Sequence, residues 1–479
     1  MVDRYELAPG LEVSRVITGL WQVADLEREG STLDPATAAA AMRPYVEAGF
    51  TTFDMADHYG SAEVIVGAYD GEPPPEALTK WVPEPGPLDR ETVRAAVQRA
   101  LERLQCDRLD LLQFHSWNYW DPSYLDGLRC LQELCDEGLI GHLGMTNTDA
   151  AHMRMLLHTG VPVVTNQVCF SLLDQRPQQE LTQLCAEHDL ALLGYGTLAG
   201  GFLTDRWLDA PEPASLQTWS QMKYKRFVDV AGGWDALQRV LRAARNVADR
   251  HDVTIANVAC RYVLEQPGVA AIIIGARLGH SEHIAATTRL FEFELSQHDH
   301  AELEAALATL DDIPGDSGDE YRREPFLTAS GDLSHHVTGF PRAYEVRDRQ
   351  AGGMQVLSGT IWEDLAGFSR AVRRGQRVWI SGTTATHGDR PIGGGDIASQ
   401  THFIIDKIEG ALQSLGGSLK DVVRTRVYLR SGDDWEPVSR AHGARFGTIQ
   451  PANTLVQAPP IGDEYLVEID AEALLPDDS

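Results

Sequence analysis

Phe53-Asp54-Met55-Ala56-Asp57-His58-Tyr59-Gly60 is the stretch around which this chain is organised. It follows Gly49-Phe50-Thr51-Thr52-Phe53, an apolar-alternating run that predicts a buried strand. Asp54 then falls at the strand's C-terminal end, with Tyr59 one short loop beyond. A tyrosine protonates a carbonyl oxygen only where something lowers its pKa from about 10, and a buried cation is the usual means. The next strand-like run, Ala77-Leu78-Thr79-Lys80-Trp81-Val82, supplies a lysine among apolar residues. A buried lysine needs a counter-charge, and Asp54 is available. The following run, Leu109-Asp110-Leu111-Leu112-Gln113-Phe114-His115, ends in a histidine placed to hydrogen-bond the same oxygen. Singly, Asp54 reads as a turn-former, Lys80 as a snorkelling edge residue and His115 as a satisfied core histidine. At the ends of successive strands, the four read better as one site.

Asp54, Tyr59, Lys80 and His115 in this order resemble the catalytic tetrad of the aldo-keto reductases, and the likeness spans residues 10–310. Eight apolar strands alternate with helices from Val16 to Arg277, which predicts a (β/α)8 TIM barrel with its function at the strand C-termini. The resemblance implies a nicotinamide cofactor and a small aldehyde, ketone or alcohol as substrate. It gives Tyr59 the role of proton donor, Lys80 and Asp54 that of lowering its pKa, and His115 that of orienting the carbonyl. It places the carboxamide on Thr146, Asn147 and Gln167, and an amide pair offers the donor and acceptor that group needs. Tyr195 matches the aromatic stacked under the nicotinamide ring, and Gly19, Gly196, Leu198 and Gly275 fall on cofactor-binding positions. After the last strand the chain reads Gly275-Ala276-Arg277-Leu278-Gly279-His280-Ser281-Glu282-His283, with Thr287 near the family's asparagine position. Arg277 is the local candidate for a 2′-phosphate, so NADPH is expected, with NADH possible. Trp21, Trp207 and the long segment from Thr204 to Gly233 read as pocket wall and lid.

A chain of 479 residues exceeds one ordinary core, and its 43% hydrophobic content is that of a soluble globular protein. No apolar run is long enough to span a membrane, and Met1-Val2-Asp3-Arg4-Tyr5-Glu6 lacks a signal-peptide pattern, so a cytoplasmic enzyme is expected. The six cysteines all precede residue 261 and form no C-x-x-C pair, which favours reduced core thiols. A net charge of −29 argues against nucleic acid and requires any phosphate grip to be local. His280 with His283, and His335-His336, read as surface histidines, and no metal site is expected.

Residues 1–310 therefore form the expected barrel domain. Residues 311–342, opening with Asp311-Asp312-Ile313-Pro314-Gly315-Asp316-Ser317-Gly318-Asp319-Glu320, read as an acidic, solvated linker, part of which could instead drape over the barrel mouth. Residues 343–479 follow a β-β-α-β-α-β order, giving an α+β sheet with two helices on one face. Ser369-Arg370-Ala371-Val372, Ile380-Ser381-Gly382, Asp421-Val422-Val423-Arg424-Thr425-Arg426-Val427-Tyr428 and Val467-Glu468-Ile469-Asp470-Ala471 resemble the Rid (reactive intermediate deaminase, or YjgF) family, of chorismate-mutase-like fold. That likeness implies trimers with clefts between subunits, and enamine or imine hydrolysis. Two positions depart from it. Asn453 stands in Pro451-Ala452-Asn453-Thr454 where the deaminases carry a carboxylate-binding arginine, and Phe368 replaces a tyrosine. An amide lacks the charged fork of arginine, whereas Glu468 remains as a general base. The second domain is thus expected either to act on a reactive imine, enamine or enol, or to serve as an oligomerisation module. Assembly is expected to be a homotrimer through an exposed apolar sheet face beyond residue 343, with the barrels joined outside it. Two other readings stay open: a non-catalytic redox-sensing protein, and an enzyme whose main activity lies in the second domain.

Overall fold

The computed structural model describes residues 2–27, 30–178, 180–322, 337 and 339–476. A hairpin of β1 (Arg4–Ala8) and β2 (Leu11–Ser14) precedes the barrel. Its Leu7, Ala8, Leu11 and Val13 pack with Ile17, Leu78, Leu111 and Leu193, so the hairpin forms the apolar floor. Eight parallel strands follow: β3 (Val16–Gly19), β4 (Thr52–Asp54), β5 (Glu76–Trp81), β6 (Leu109–His115), β7 (Ile140–Thr146), β8 (Val163–Cys169), β9 (Ala191–Tyr195) and β10 (Val269–Gly275). They pair in chain order and close where β10 meets β3, with Gly275 beside Gly19. A Cβ on Gly19 would approach Ile273 to 2.7 Å, so this closure requires the glycine.

Local chemistry sets the first helices. Trp21 opens a short one, Trp21–Leu26, directly after β3. Two more follow, Pro35–Ala40 capped by Asp34 and Arg43–Glu47 with Pro44 in its first turn. A proline near a helix start fits the first turn but cannot continue the preceding hydrogen-bond ladder. The long segment after β9 contains helix Trp219–Val230, capped by Thr218, and so is folded against the mouth as structure rather than as an open loop.

The second domain is a seven-stranded sheet containing β11 (Glu345–Asp348), β12 (Met354–Leu357), β13 (Ala371–Arg374), β14 (Arg377–Thr384), β17 (Val422–Leu429), β18 (Ala452–Gln457) and β19 (Val467–Leu474). The spatial order is β11-β12-β13-β14-β19-β17-β18, and a small hairpin of β15 (Thr386–His387) and β16 (Arg390–Pro391) stands beside it. Strands β11, β12 and β18 escaped the sequence reading: β11 is short and polar, β12 is only four residues long, and β18 is an edge strand exposed along its whole length. Helices Ile397–Ser414 and Trp435–Phe446 pack against each other, and the longer one lies on β14 and β19.

Two expectations about this domain need correction. Helix Ile397–Ser414 is buried on nearly every side because helix Ala150–Leu157 of the barrel covers its outer face, so the two domains are docked, not loosely strung. A second docking contact joins His387 and Arg390 to Asp126, at 2.8 and 3.2 Å. The open sheet face is also less apolar than expected. Arg426 pairs there with Asp470 and Glu472, Tyr428 donates to Asp470, and apolar groups such as Trp379, Val423, Leu455 and Val456 are interspersed.

The acidic segment after residue 310 is not a solvated linker throughout. Ser317, Asp319, Glu320 and Tyr321 are buried over the barrel mouth, as the draping alternative had it. Three-dimensional pairing makes that burial possible: Arg176 binds Asp174 at 2.7 Å and Glu320 at 2.9 Å. His335-His336 lie outside the described residues, and among the described residues no helix is long and apolar enough to cross a membrane.

Candidate active site

Parallel pairing sets the ends of the strands level, and that is what gathers the site. Lys80 lies beside Gln113, while His115, Thr146 and Gln167 occupy one row across β6, β7 and β8. Lys80, only 4% exposed, places Nζ 2.7 Å from both carboxylate oxygens of Asp54. Burial lowers the Lys80 pKa from its ordinary value, and the Asp54 charge opposes that shift. Its ammonium lies 5.0 Å from the Tyr59 ring centroid. Gln167 Nε2 donates to Asp54 Oδ1 at 2.7 Å and to Gln113 Oε1 at 2.9 Å, so the ion pair is braced by amides.

These groups face a cavity of about 710 Å³. Asp54, Tyr59 and Lys80 line it, as do Gly19, Trp21, Thr146, Asn147, Gln167, Tyr195, Gly196, Leu198, Trp207, Gly275 and Arg277. All the barrel positions expected from the sequence are brought together on it except His115. That imidazole is fully buried and packs edge-on against Trp117 and Tyr321, at centroid distances of 4.9 and 5.7 Å. Tyr321 itself lines the cavity. Neither His115 ring nitrogen has a hydrogen-bond partner among the described residues. Burial, with Arg322 nearby, pushes its pKa well below the ordinary value, so the ring is neutral.

The rest of the cavity is lined by Gly196, Tyr195, Asn147 and Arg277. Gly196 adopts φ 70°, and a side chain there would strike Tyr224, which keeps that wall open. Tyr195 donates to Asn147 Oδ1 at 2.7 Å, which orients an amide at the expected carboxamide position. Arg277 is not isolated: its Nη1 lies 3.0 Å from Asp25 Oδ2 and 3.3 Å from Gln22 Oε1. Asp25 also accepts from the Trp219 backbone, tying the helix after β9 to this end. Trp207 contacts the cavity while its ring packs on Phe202 and Trp234, so it is as much an anchor of this wall as a surface.

Several residues were missed by the sequence reading. Lys223 lies among Trp21, Tyr195, Tyr224 and Tyr321, with Nζ between 4.7 and 5.7 Å from each ring centroid, and it donates to the Tyr321 hydroxyl. Despite burial, Arg176 and Lys223 hold the Glu320 carboxyl below its ordinary value. Arg322 donates to the backbone carbonyls of Asn147 and, at 2.7 Å, of Ser116. A compact Asp-Glu-Tyr-Arg cluster at 319–322, amid turn residues, was the available signal for such a strap.

In the second domain the expected cleft residues Glu468 and Asn453 do not meet within one chain. Glu468 pairs across the sheet with Tyr428, whereas Asn453 pairs with Thr425, three residues along the strand, on the exposed edge. Phe368 instead neighbours Arg370, whose guanidinium lies 5.3 Å from its ring centroid. Arg370 is buried and donates to Gly382 O and Thr383 Oγ1, at 2.7 and 2.8 Å. Burial raises the Glu468 pKa, with Arg370 opposing.

A closed parallel barrel carries a buried Asp–Lys pair beside a tyrosine on the wall of a cavity of about 710 Å³. The chain belongs to the aldo/keto reductase family, whose model matches residues 15–308. A second model, described as Endoribonuclease L-PSP, matches residues 362–475, and this is the YjgF/Rid domain. Protein tas of Escherichia coli is 30% identical over 268 residues, covering 52% of this chain and 75% of that protein. An uncharacterized protein of Streptomyces coelicolor is 38% identical over 120 residues, covering 25% of this chain and 90% of its own. Among solved structures, the glycerol dehydrogenase of Gluconobacter oxydans superposes with a TM-score of 0.55 at 21% identity, covering 66% of this chain and 97% of that one. The protein is therefore an NAD(P)H-dependent carbonyl/alcohol oxidoreductase carrying a Rid-type domain.

Proposed function

We propose that the barrel interconverts a small aldehyde or ketone and its alcohol, with Tyr59, Lys80, Asp54 and His115 as the reacting-centre residues and NADPH as the preferred cofactor. The observation that carries this reading is the Lys80 ammonium, held 2.7 Å from Asp54 and 5.0 Å from the Tyr59 ring at the cavity wall. A cation so placed favours tyrosinate over tyrosine and lowers the cost of proton release from the Tyr59 hydroxyl. His115, neutral and with both nitrogens unpartnered among the described residues, is suited to donate a hydrogen bond to a carbonyl oxygen once Tyr321 gives way. Asn147 and Gln167 would hold the carboxamide, Tyr195 the ring, and Arg277 the 2′-phosphate. When bound, the dinucleotide supplies the hydride. The setting is the cytoplasm, which keeps the free cysteines reduced. The test is loss of reduced-nicotinamide absorbance with a panel of aldehydes and ketones; inactivity across the panel, in either direction and with both dinucleotides, would overturn it.

Cofactor choice has its own test. Arg277 is the basic side chain at the adenosine end, but Asp25 already offsets part of its charge. Arg277→Met should therefore weaken NADPH relative to NADH by roughly tenfold, the lower range for loss of a charged hydrogen bond. The quantity to compare is the ratio of the two dissociation constants, because an unpaired Asp25 affects both. An unchanged ratio would place the phosphate grip elsewhere.

The Rid-type domain acts on a reactive imine, enamine or enol, or assembles the protein; its separated Glu468 and Asn453 favour a cleft completed by another copy. The open face around Trp379, Arg426 and Tyr428 is the surface available for that contact, since the barrel covers helix Ile397–Ser414 on the other side. The full-length chain is expected to scatter light as a trimer, and Trp379→Asp to reduce it to a monomer. A monomeric wild type would remove this arrangement.

A further inference from the structure

One buried charge cluster spans the two domains, and the reductase chemistry described above does not use it. His152, on the first turn of helix Ala150–Leu157, is 2% exposed. Its Nδ1 lies 2.7 and 2.8 Å from the oxygens of Asp149, which caps the same helix. Its Nε2 lies 2.9 Å from Asp406 of the Rid-type domain, itself 1% exposed. A ring with a carboxylate at each nitrogen must donate from both and is an imidazolium. In accord with that, and against burial, Asp149 and Asp406 hold the His152 pKa up at about 9. Arg445 completes the cluster, donating to Asp406 at 2.6 Å and Glu409 at 2.8 Å.

The cluster leads directly to the nicotinamide end of the barrel. His152 stacks on Tyr119 at 3.4 Å, the planes within 7°. The Arg322 guanidinium lies 4.4 Å from the centroid of that same tyrosine ring. Arg322 then donates to the carbonyl of Asn147 and to that of Ser116, the residue after His115. From the other side, the Asp149 backbone donates to the Tyr119 hydroxyl at 3.3 Å. Asn147 needs such a clamp, since it is a non-glycine residue at φ 55°. Only Thr148 separates it from the Asp149 cap.

We propose that Asp406 is a positioning residue for the reductase: through His152, Tyr119 and Arg322 the Rid-type domain fixes the Asn147 loop in its dinucleotide-binding form. A buried pair of this kind is weak evidence of stability but a good device for holding one geometry. The idea rests on the reading of Asn147 as a carboxamide ligand. It makes the second domain a working part of the first, whatever chemistry its own cleft performs.

The test uses the full-length chain and a fluorescence titration with NADPH and NADH. Asp406→Asn keeps the shape and removes the charge; it should raise the dissociation constant roughly tenfold, within the range of coupling carried by packed networks. Turnover at saturating dinucleotide should stay near wild type, giving a KM effect without a kcat effect. Asp126→Asn loosens the other docking contact, the one to His387 and Arg390, and should leave dinucleotide affinity unchanged. Equal affinity in wild type and Asp406→Asn would overturn the proposal, as would an equal loss in Asp126→Asn, which would mean generic loosening. Should Asp406→Asn fail to fold, His152→Gln is read by the same criteria. A wild type that binds neither dinucleotide would instead remove the reductase reading, and this inference with it.

Discussion

Tyr59→Phe is expected to lower turnover by roughly 100-fold or more, the scale of general acid catalysis by a positioned side chain. The substitution removes one hydroxyl from the cavity wall and leaves the ring beside Lys80. The Asp54–Lys80 pair, the amides of Gln113 and Gln167 that brace it, and the dinucleotide end of the cavity do not depend on that hydroxyl. NADPH and NADH affinities should therefore be unchanged by titration. Retention of near-normal turnover would show that the proton comes from another group, and His58, which also lines the cavity and pairs with Asp57 at 3.0 Å, would be examined next.

Lys80→Met is expected to be worse, because it fails in two ways at once. The chemical loss matches that of Tyr59→Phe or exceeds it, since Lys80 is the cation paired with Asp54 among the described residues. The structural loss comes from Asp54, left as a buried carboxylate with the amides of Gln113 and Gln167 as its remaining side-chain partners among the described residues. Removing one member of a buried pair costs about 3–5 kcal/mol. Burial without a cation raises the folded-state pKa of a carboxylate above its unfolded value. Such a group stabilises the fold below its unfolded pKa and loses that contribution as pH rises through the folded pKa. The stability gap between Lys80→Met and wild type should accordingly narrow as pH falls, as followed by thermal unfolding at mildly acidic and mildly basic pH. A gap that widened on acidification would mean that Asp54 is not the stranded charge.

That Asp54, Tyr59 and Lys80 would gather at one cavity was legible in the sequence because each sits at or just past the end of an apolar run, and parallel strands bring such ends level. The convergence of Thr146, Gln167, Gly19 and Gly275 on the same cavity was legible for the same reason. What the sequence hid is pairing between distant segments. Asp311 to Glu320 has the composition of a solvated linker, and only the three-dimensional placement of Arg176 and Lys223 makes its burial affordable. His152 and Asp406 lie 254 positions apart, and neither stands out in its own helix. His115 shows the converse: its position was foreseen, whereas its covering by Tyr321 was not. Asn453 and Glu468 were grouped by likeness to a family that builds its clefts between subunits, and one chain alone holds them apart.

Helix Ile397–Ser414 carries a consequence for modularity. Fifteen of its residues are buried, because one flank faces its own sheet and the other faces the barrel. A free-standing relative of the second domain would present the equivalent flank to water and need polar side chains there. Here that flank has become interior. Cutting the chain near residue 342 would leave His152 and Asp149 on one product and Asp406 and Arg445 on the other, each a stranded half of a buried ion cluster.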